Sequence, residues 1–358
     1  MKILFVLRSD AETKKGGDVN LLMNFKALLD DTFVCSFVNG VPKSVSDYDK
    51  VICANLDRPI EAVKTLELCL DSNVDFYLYT LHHPYSGIRE YLRFGVTGFK
   101  KFISLISFRN PVVYEQFLWT IRFFYTLLFE RKLIPYGSVK KAQKKLLAES
   151  TGVLMVSKEE EVEIIKDIGP ISARVSYVPH LLDFECTSRR QPLINSVLCP
   201  GRIETRKNQQ FILKLAKLRP NIQFTFVGPS VKSESQYFVD FKNAVDNLKN
   251  VEYLDALPAH DFYKRLSTHK VVLTASWFEV TSLIELFVLN SGSRLVSSKC
   301  SYNHSFFKHG FAYDSNDIDS CLRQIDLAIS INEYGHIKGY PDAHEIRKLL
   351  YNSIGCFE

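Results

Sequence analysis

The stretch "LCPGRIETRKNQQFILKLAKLRPNIQFTFVGP", residues 198–229, decides the fold. An apolar run ends at Gly201, a short polar loop follows, then apolar residues recur at helical spacing, and a second apolar run ends at Gly228. Strand, loop, helix and strand in this order set two parallel strands side by side under a crossover helix. Gly201 lets the backbone turn sharply where the first strand ends. Arg202 and Lys207 bracket the loop just before the helix. Two cations beside a helix N-terminus, whose first N–H groups lack partners within the helix, suit a diphosphate; a solvated basic loop has the same composition.

The same alternation continues in both directions. Upstream lie "KILFVL", "NLLMNFKALL", "FVCSFV", "KVICAN", "DFYLYTL" and "GVLMVS"; downstream lie "VEYL", "VVLTA" and "RLVSS". Two such series predict an α/β protein of two doubly wound, Rossmann-like domains. The pattern breaks at residues 179–192, where two prolines and a polar cluster intervene, so the expected domains are 1–185 and 186–335. Residues 336–358 carry Ile346, Leu349, Leu350 and Ser353 at helical spacing and predict a closing helix, free to pack on either domain or to cross back to the first. Ligands of such sheets sit beyond the carboxyl ends of the strands, which places the expected site in a cleft where the domains face each other.

Composition narrows the class. A chain of 358 residues exceeds one ordinary core, and 46% hydrophobic with 24% charged residues describes a globular rather than a disordered protein. The eight cysteines are far apart and several lie in apolar runs, so they read as core residues in a reducing compartment, not as a disulfide frame or zinc site. The start, "MKILFVL", is too short an apolar run for a signal peptide, and a cytoplasmic protein is expected. Charge is uneven. Residues 86–145 hold twelve Lys and Arg against three Glu, a balance of +9, so the formal net charge of +5 leaves −4 for the rest.

"GRIETRKN", "FVG" and "VEYLDALPAHDFYKRLSTHKVVLTASWFEVTSLIELFVLNSG", in this order over residues 197–327, resemble the donor half of the retaining GT-B glycosyltransferases of family 4. The resemblance implies a GT-B fold, retention of configuration, and a nucleotide diphosphate sugar as donor, UDP first and GDP second. It assigns the diphosphate to Arg202 and Lys207, with Asn208 beside them, and gives Glu279 the role of accepting hydrogen bonds from the donor sugar. Backbone N–H groups of Thr281, Ser282 and Leu283 would face the phosphates, and Gly228 and Leu254 complete the expected donor site. After seven intervening residues the family's second glutamate, which holds the ribose, falls on Phe287. Glu285 is no simple substitute, because it points about 200° around the helix from that position.

The first half matches through "RSDAETKKGGDVNLLMNF", which resembles the family's first strand-to-helix loop. Gly16 and Gly17 would let backbone approach a phosphate or the acceptor, with Asp18 capping the helix; a glycine pair also marks a plain turn. In "YLYTLHHPYSG", His82 and His83 follow a strand where related enzymes place a histidine near the reacting sugar. Either is a candidate, and the alternative is a structural or exposed loop histidine. No metal-ligand spacing appears, so neither metal nor cofactor is expected, and Arg202, Lys207 and helix N-termini would neutralise the departing diphosphate.

The basic aromatic segment, residues 94–145, has a further reading. In "VVYEQFLWTIRFFYTLLFERKLI", Tyr114, Phe117, Leu118, Ile121, Phe124, Tyr125 and Leu128 form a stripe that predicts the buried face of a helix, and Trp119, Phe123 and Leu127 form a second stripe beyond it. The run is interrupted by Arg122 and is shorter than the ~20 residues that span a bilayer. With its flanking lysines it suits peripheral docking on an anionic membrane surface, near a lipid-linked oligosaccharide acceptor. Packing on a neighbouring helix or an oligomer contact remains open, and no nucleic-acid module accompanies the basic residues. The expected function is therefore sugar transfer to a glycan in surface polysaccharide assembly, O-antigen or capsule-like, at the inner face of the cell membrane. The competing readings are a GT-B nucleotide-sugar epimerase or phosphorylase, and a non-catalytic GT-B partner with impaired donor binding.

Overall fold

A computed structural model describes the chain except for residues 13–15, 130–133, 183–192, 232–233, 292, 301–310, 332–339 and 357–358. Its strands are β1 (Lys2–Leu7), β2 (Val34–Asn39), β3 (Lys50–Ala54), β4 (Asp75–Tyr79), β5 (Gly152–Met155), β6 (Arg174–Tyr177), β7 (Leu193–Pro200), β8 (Gln223–Val227), β9 (Val251–Leu254), β10 (His269–Thr274), β11 (Arg294–Ser298) and β12 (Phe311–Tyr313). Helices α1 (Gly17–Leu29), α2 (Pro59–Asp71), α3 (Tyr85–Glu90), α4 (Gly98–Ile106), α5 (Pro111–Leu128), α6 (Val139–Glu149) and α7 (Lys158–Asp167) lie in the first half. The second half holds α8 (Gln209–Leu218), α9 (Ser235–Asp246), α10 (Ala259–Thr268) and α11 (Leu283–Ser291), then α12 (Ile318–Ser330) and α13 (Ala343–Ser353).

The strands pair in parallel into two six-stranded sheets, in the orders β2-β1-β3-β4-β5-β6 and β12-β11-β10-β7-β8-β9. Strand residues alternate between faces, and in the second sheet both faces are apolar. Cys199, Phe224, Phe226 and Leu273 meet Phe211 of α8, Phe241 of α9 and Ile325 of α12 on one side. Leu198, Val272 and Leu295 meet Leu266 of α10 and Val288 of α11 on the other. This double covering explains why these strands read as near-continuous apolar runs rather than as alternating ones.

Packing divides the chain into two units, residues 1–85, 102–181 and 341–358 in one, and residues 86–101 and 182–340 in the other. The closing helix α13 thus belongs with the first sheet: Arg174 of β6 donates to the Asn352 carbonyl at 2.6 Å, and Tyr77 donates to the Ile354 carbonyl at 3.0 Å.

On α5 the expected orientation holds at Tyr114, which is buried, and changes further along the helix. Trp119 is only 3% exposed, its indole donating to the Pro135 carbonyl at 3.1 Å, whereas Ile121, Phe124, Tyr125 and Leu128 lie on the exposed side, Leu128 at 67%. Periodicity fixes the phase of a stripe and not which of two stripes meets the core. Phe102, Leu105 and Phe108, at and after α4, are exposed as well. No helix among the described residues is long and apolar enough to cross a membrane.

Gly201 and Gly228 end β7 and β8 with φ of +141° and +149°. A Cβ on Gly228 would run into the Gly201 carbonyl. Gly228→Ala should therefore lower stability by about 2–4 kcal/mol, read as a fall in the thermal midpoint. Gly17→Ala, whose methyl would meet nothing within 4 Å, should leave the midpoint unchanged.

Candidate functional site

In the second sheet the chain runs from β7 to β8 and β9 on one side, then returns to β10, β11 and β12 on the other. The strand order reverses between β7 and β10, and ligands of open parallel sheets bind beyond the carboxyl ends at such a point. A depression lies there, lined by Pro200, Lys207, Thr274, Ser276 and Ser282.

The loop after β7 turns through a 3-10 segment, Thr205–Lys207, into α8. Asn208 makes the junction at φ +56°, a left-handed conformation that asparagine tolerates better than most residues. The predicted residues Lys207 and Glu279 are brought together: the Lys207 ammonium donates to Glu279 Oε1, and Arg206 Nη1 donates to Glu279 Oε2 at 2.9 Å. Arg206 also donates to Glu204 Oε1 at 3.2 Å, and Arg202 reaches the same oxygen at 3.2 Å. Burial opposes the charge of Glu279, but Arg206 and Lys207 overcome it and hold the carboxyl well below its ordinary range. The same carboxylates, against burial, lock Arg206 in its charged form.

Three cations, Arg202, Arg206 and Lys207, meet two carboxylates, Glu204 and Glu279, so the cluster retains one net positive charge. Arg202 is half exposed and the most accessible of the three. An ionised carboxylate offers about four lone-pair positions, so Glu279 can accept hydroxyl donors while keeping both cations. Arg206 was not singled out from the sequence, although it lies between the two cations that were. Its signal is geometric, because the Trp277 N–H donates to the Arg206 carbonyl at 3.0 Å and ties its loop to the one carrying Glu279.

Thr281 and Ser282 precede α11, which begins at Leu283, and Ser282 Oγ accepts from the Glu285 N–H at 3.4 Å. Glu285 turns inward to accept from Thr274 and Ser297 hydroxyls at 2.7 and 2.8 Å. Phe287 packs edge-on against Tyr263 of α10, with centroids 5.6 Å apart. Leu254 ends β9, where its carbonyl accepts from the Gly228 N–H at 3.1 Å.

In the first sheet the order reverses between β1 and β3. Gly16 is the N-cap of α1 with an ordinary φ of −126°, and Gly17 opens the helix. Asp18 does not cap it, contrary to expectation, because its carboxylate accepts from Arg8 Nε at 2.7 Å.

His82 and His83, after β4, part company. Of the two histidines expected from the sequence, His82 is fully enclosed and the side chain of His83 is 29% exposed. Nδ1 of His82 donates to Asp57 Oδ1 at 2.6 Å and Nε2 lies 3.2 Å from Asp167 Oδ2, while its backbone N–H donates to Glu160 at 2.8 Å. Burial alone would neutralise the ring; the carboxylates outweigh it and raise its pKa to about 10. Asp57 also takes the His83 N–H at 2.8 Å and faces His83 Nδ1 at 2.7 Å, which fixes that ring's orientation. Asp57 and Asp167 escape sequence reading because they lie 25 and 85 residues from His82. Among the described residues no group of three or more His, Cys, Asp or Glu is arranged to hold a metal ion.

No protein-family model matches the sequence, nor does any curated protein sequence. Solved structures do match in fold. Anabaena Alr3699/HepE, in complex with UDP, is 13% identical with a TM-score of 0.68, over 99% of this chain and 96% of that one. Sucrose-phosphate synthase from Thermosynechococcus elongatus is 11% identical with a TM-score of 0.64, over 99% and 94%. The apo form of the lipopolysaccharide outer core galactosyltransferase WaaB is 13% identical with a TM-score of 0.60, over 99% and 95%. The fold is GT-B.

The His82 clamp has a pH signature. Its folded pKa of about 10 lies above the ordinary 6.5, so its stabilisation is complete below pH 6.5 and is lost as pH rises through about 10. Thermal midpoints measured from pH 6 to 10 should fall more steeply for the parent than for His82→Gln; parallel curves would contradict the clamp.

Proposed function

We propose that this chain is a retaining glycosyltransferase that takes a sugar from a UDP-sugar and transfers it to a glycan acceptor. The carrying observation is the Arg202, Arg206, Lys207 and Glu279 cluster at the carboxyl end of a GT-B sheet. The cations with their surplus charge would stabilise the departing diphosphate, helped by N–H groups of Thr281, Ser282 and Leu283 at the start of α11. Glu279 would orient sugar hydroxyls, Asn208, Gly228 and Leu254 would shape the wall for the nucleotide, and His83 would contact the sugar or acceptor. Gly16 and Gly17 would lie near the acceptor. The departing phosphate can take the acceptor's proton, so no separate base is required, and charge neutralisation by side chains makes a metal unnecessary. UDP is favoured because one structural relative, Anabaena Alr3699/HepE, was solved with UDP, with UDP and glucose, and with UDP-glucose.

The acceptor in this reading is a lipid-linked oligosaccharide of surface polysaccharide assembly, a pathway in keeping with the lipopolysaccharide galactosyltransferase among the relatives. Phe124, Tyr125 and Leu128 on α5, with the exposed Lys140, Lys141 and Lys144 on α6, would dock on the anionic inner face of the cell membrane, each basic residue contributing about 1 kcal/mol. A second reading, a GT-B protein with impaired donor binding, draws on Phe287, which packs on Tyr263 and has no group to accept a ribose hydroxyl.

A thermal-shift panel of UDP, GDP, ADP, CMP and their sugars separates these readings. UDP and UDP-glucose should raise the midpoint by several degrees, unchanged by a chelator, and Arg202→Ala should lose most of the shift. If none of the nucleotides stabilises the parent, the donor assignment fails.

Membrane docking is tested with vesicles of phosphatidylglycerol and phosphatidylcholine. Binding should weaken with salt and disappear in Phe124→Ser/Leu128→Ser. Retained binding in that variant would sink the docking surface.

A further inference from the structure

Residues 86–101 come from the first half of the chain and run on into α4 and α5, yet they pack as part of the second unit. They touch both loops that build the cation cluster. On the side of the loop after β7, the Tyr91 hydroxyl lies 2.9 Å from Thr205 Oγ1. Lys100 donates to Glu234 Oε1 at 2.8 Å, and Glu234 in turn accepts the Thr205 N–H at 2.6 Å and the Thr205 hydroxyl at 3.2 Å. Thr205 opens the 3-10 turn whose next two residues are Arg206 and Lys207.

On the side of the Glu279 loop, Phe94 stacks on Trp277 at 6.3 Å and Tyr91 meets Phe278 edge-on at 5.5 Å. The approach is too close for side chains at two positions. A Cβ on Gly87 would lie 2.7 Å from the Trp277 carbonyl oxygen, and one on Gly95 would lie 2.6 Å from the Trp277 indole nitrogen.

We infer that residues 86–101 are a buttress of the diphosphate-binding loop, with Tyr91 and Lys100 as positioning residues that act on Arg206 and Lys207 through Thr205 and Glu234. This rests on the donor-site reading above. Tyr91 and Thr205 are buried, so neither is placed to touch a donor; their effect passes through the backbone at Thr205. The physical need is plain: three cations gathered in one loop repel one another. A rigid loop holds them at phosphate-binding distance before the anion arrives, whereas a loose one would lose part of the binding energy in ordering them. Burial opposes the charge on Glu234, but Lys100 and the Thr205 N–H keep its carboxyl below the ordinary range, so it stays an acceptor for Thr205.

The test compares UDP with uridine, which shares the nucleoside and lacks the phosphates, by calorimetry and NMR titration of the full chain. Tyr91→Phe, which removes one oxygen, and Lys100→Met should each weaken UDP about tenfold, the loss of one buried or charged hydrogen bond, and leave uridine unchanged. Lys100→Arg, which keeps the charge on Glu234, should restore UDP binding. If the parent binds UDP and both variants bind it as well as the parent, or if UDP and uridine weaken together, the buttress is overturned. A parent that binds neither UDP nor GDP overturns the donor reading, and the buttress with it.

Discussion

The ion cluster at the end of β7 is the constraint around which the second unit is arranged. Gathering Arg202, Arg206 and Lys207 within one short loop is unfavourable unless carboxylates lie among them, and Glu204 and Glu279 supply those charges from two separate segments. Glu279 reaches the loop because β10 lies beside β7, a pairing set by the reversal of strand order. The lack of a side chain at Gly228, on the neighbouring strand end, leaves room for the Gly201 carbonyl where the loop begins. Topology, turn chemistry and electrostatics converge on one place, and the net positive charge left there is what an anionic ligand would meet.

The end of the first sheet handles charge differently. There a cation, His82, is sealed between Asp57 and Asp167 with no exposure at all. A buried ion pair of this kind contributes less to stability than its contacts suggest, since desolvating both partners offsets the attraction. Its clearer consequence is geometric: Asp57, kept ionised by His82, has one oxygen left for both the backbone and the ring of His83. The buried histidine and its neighbour thus share one carboxylate, which orients the second ring.

Much of the fold was legible because buried parallel strands write themselves as apolar runs and crossover helices as amphipathic ones, so "VLCPG", "QFTFVG" and "VVLTA" could be read directly. The placing of Lys207 and Glu279 in one site followed from resemblance rather than from spacing, since 72 residues separate them. What escaped was long-range or a matter of orientation. No local pattern joins Asp57, His82 and Asp167, or Tyr91 and Thr205. On α5 the sequence offered two apolar stripes, and Trp119 won the core because its indole finds a carbonyl there while Phe124 and Leu128 gain nothing comparable.

Phe287 and Glu285 show how one helix can be both legible and misleading. Glu285 looks like a displaced ligand carboxylate two positions early, yet it serves the sheet, accepting hydroxyl hydrogen bonds from the ends of β10 and β11. Removing it would leave Thr274 and Ser297 without these bonds in the interior, so its burial is satisfied on its own terms. Phe287 meanwhile fills the gap between α11 and α10 with Tyr263, an aromatic contact worth about 0.5–1.5 kcal/mol beyond its buried area. A carboxylate at 287 would replace that packing with a charge beside an apolar cluster that includes Leu254 and Leu257. The residue at 287 is thus matched to its apolar neighbours on α10.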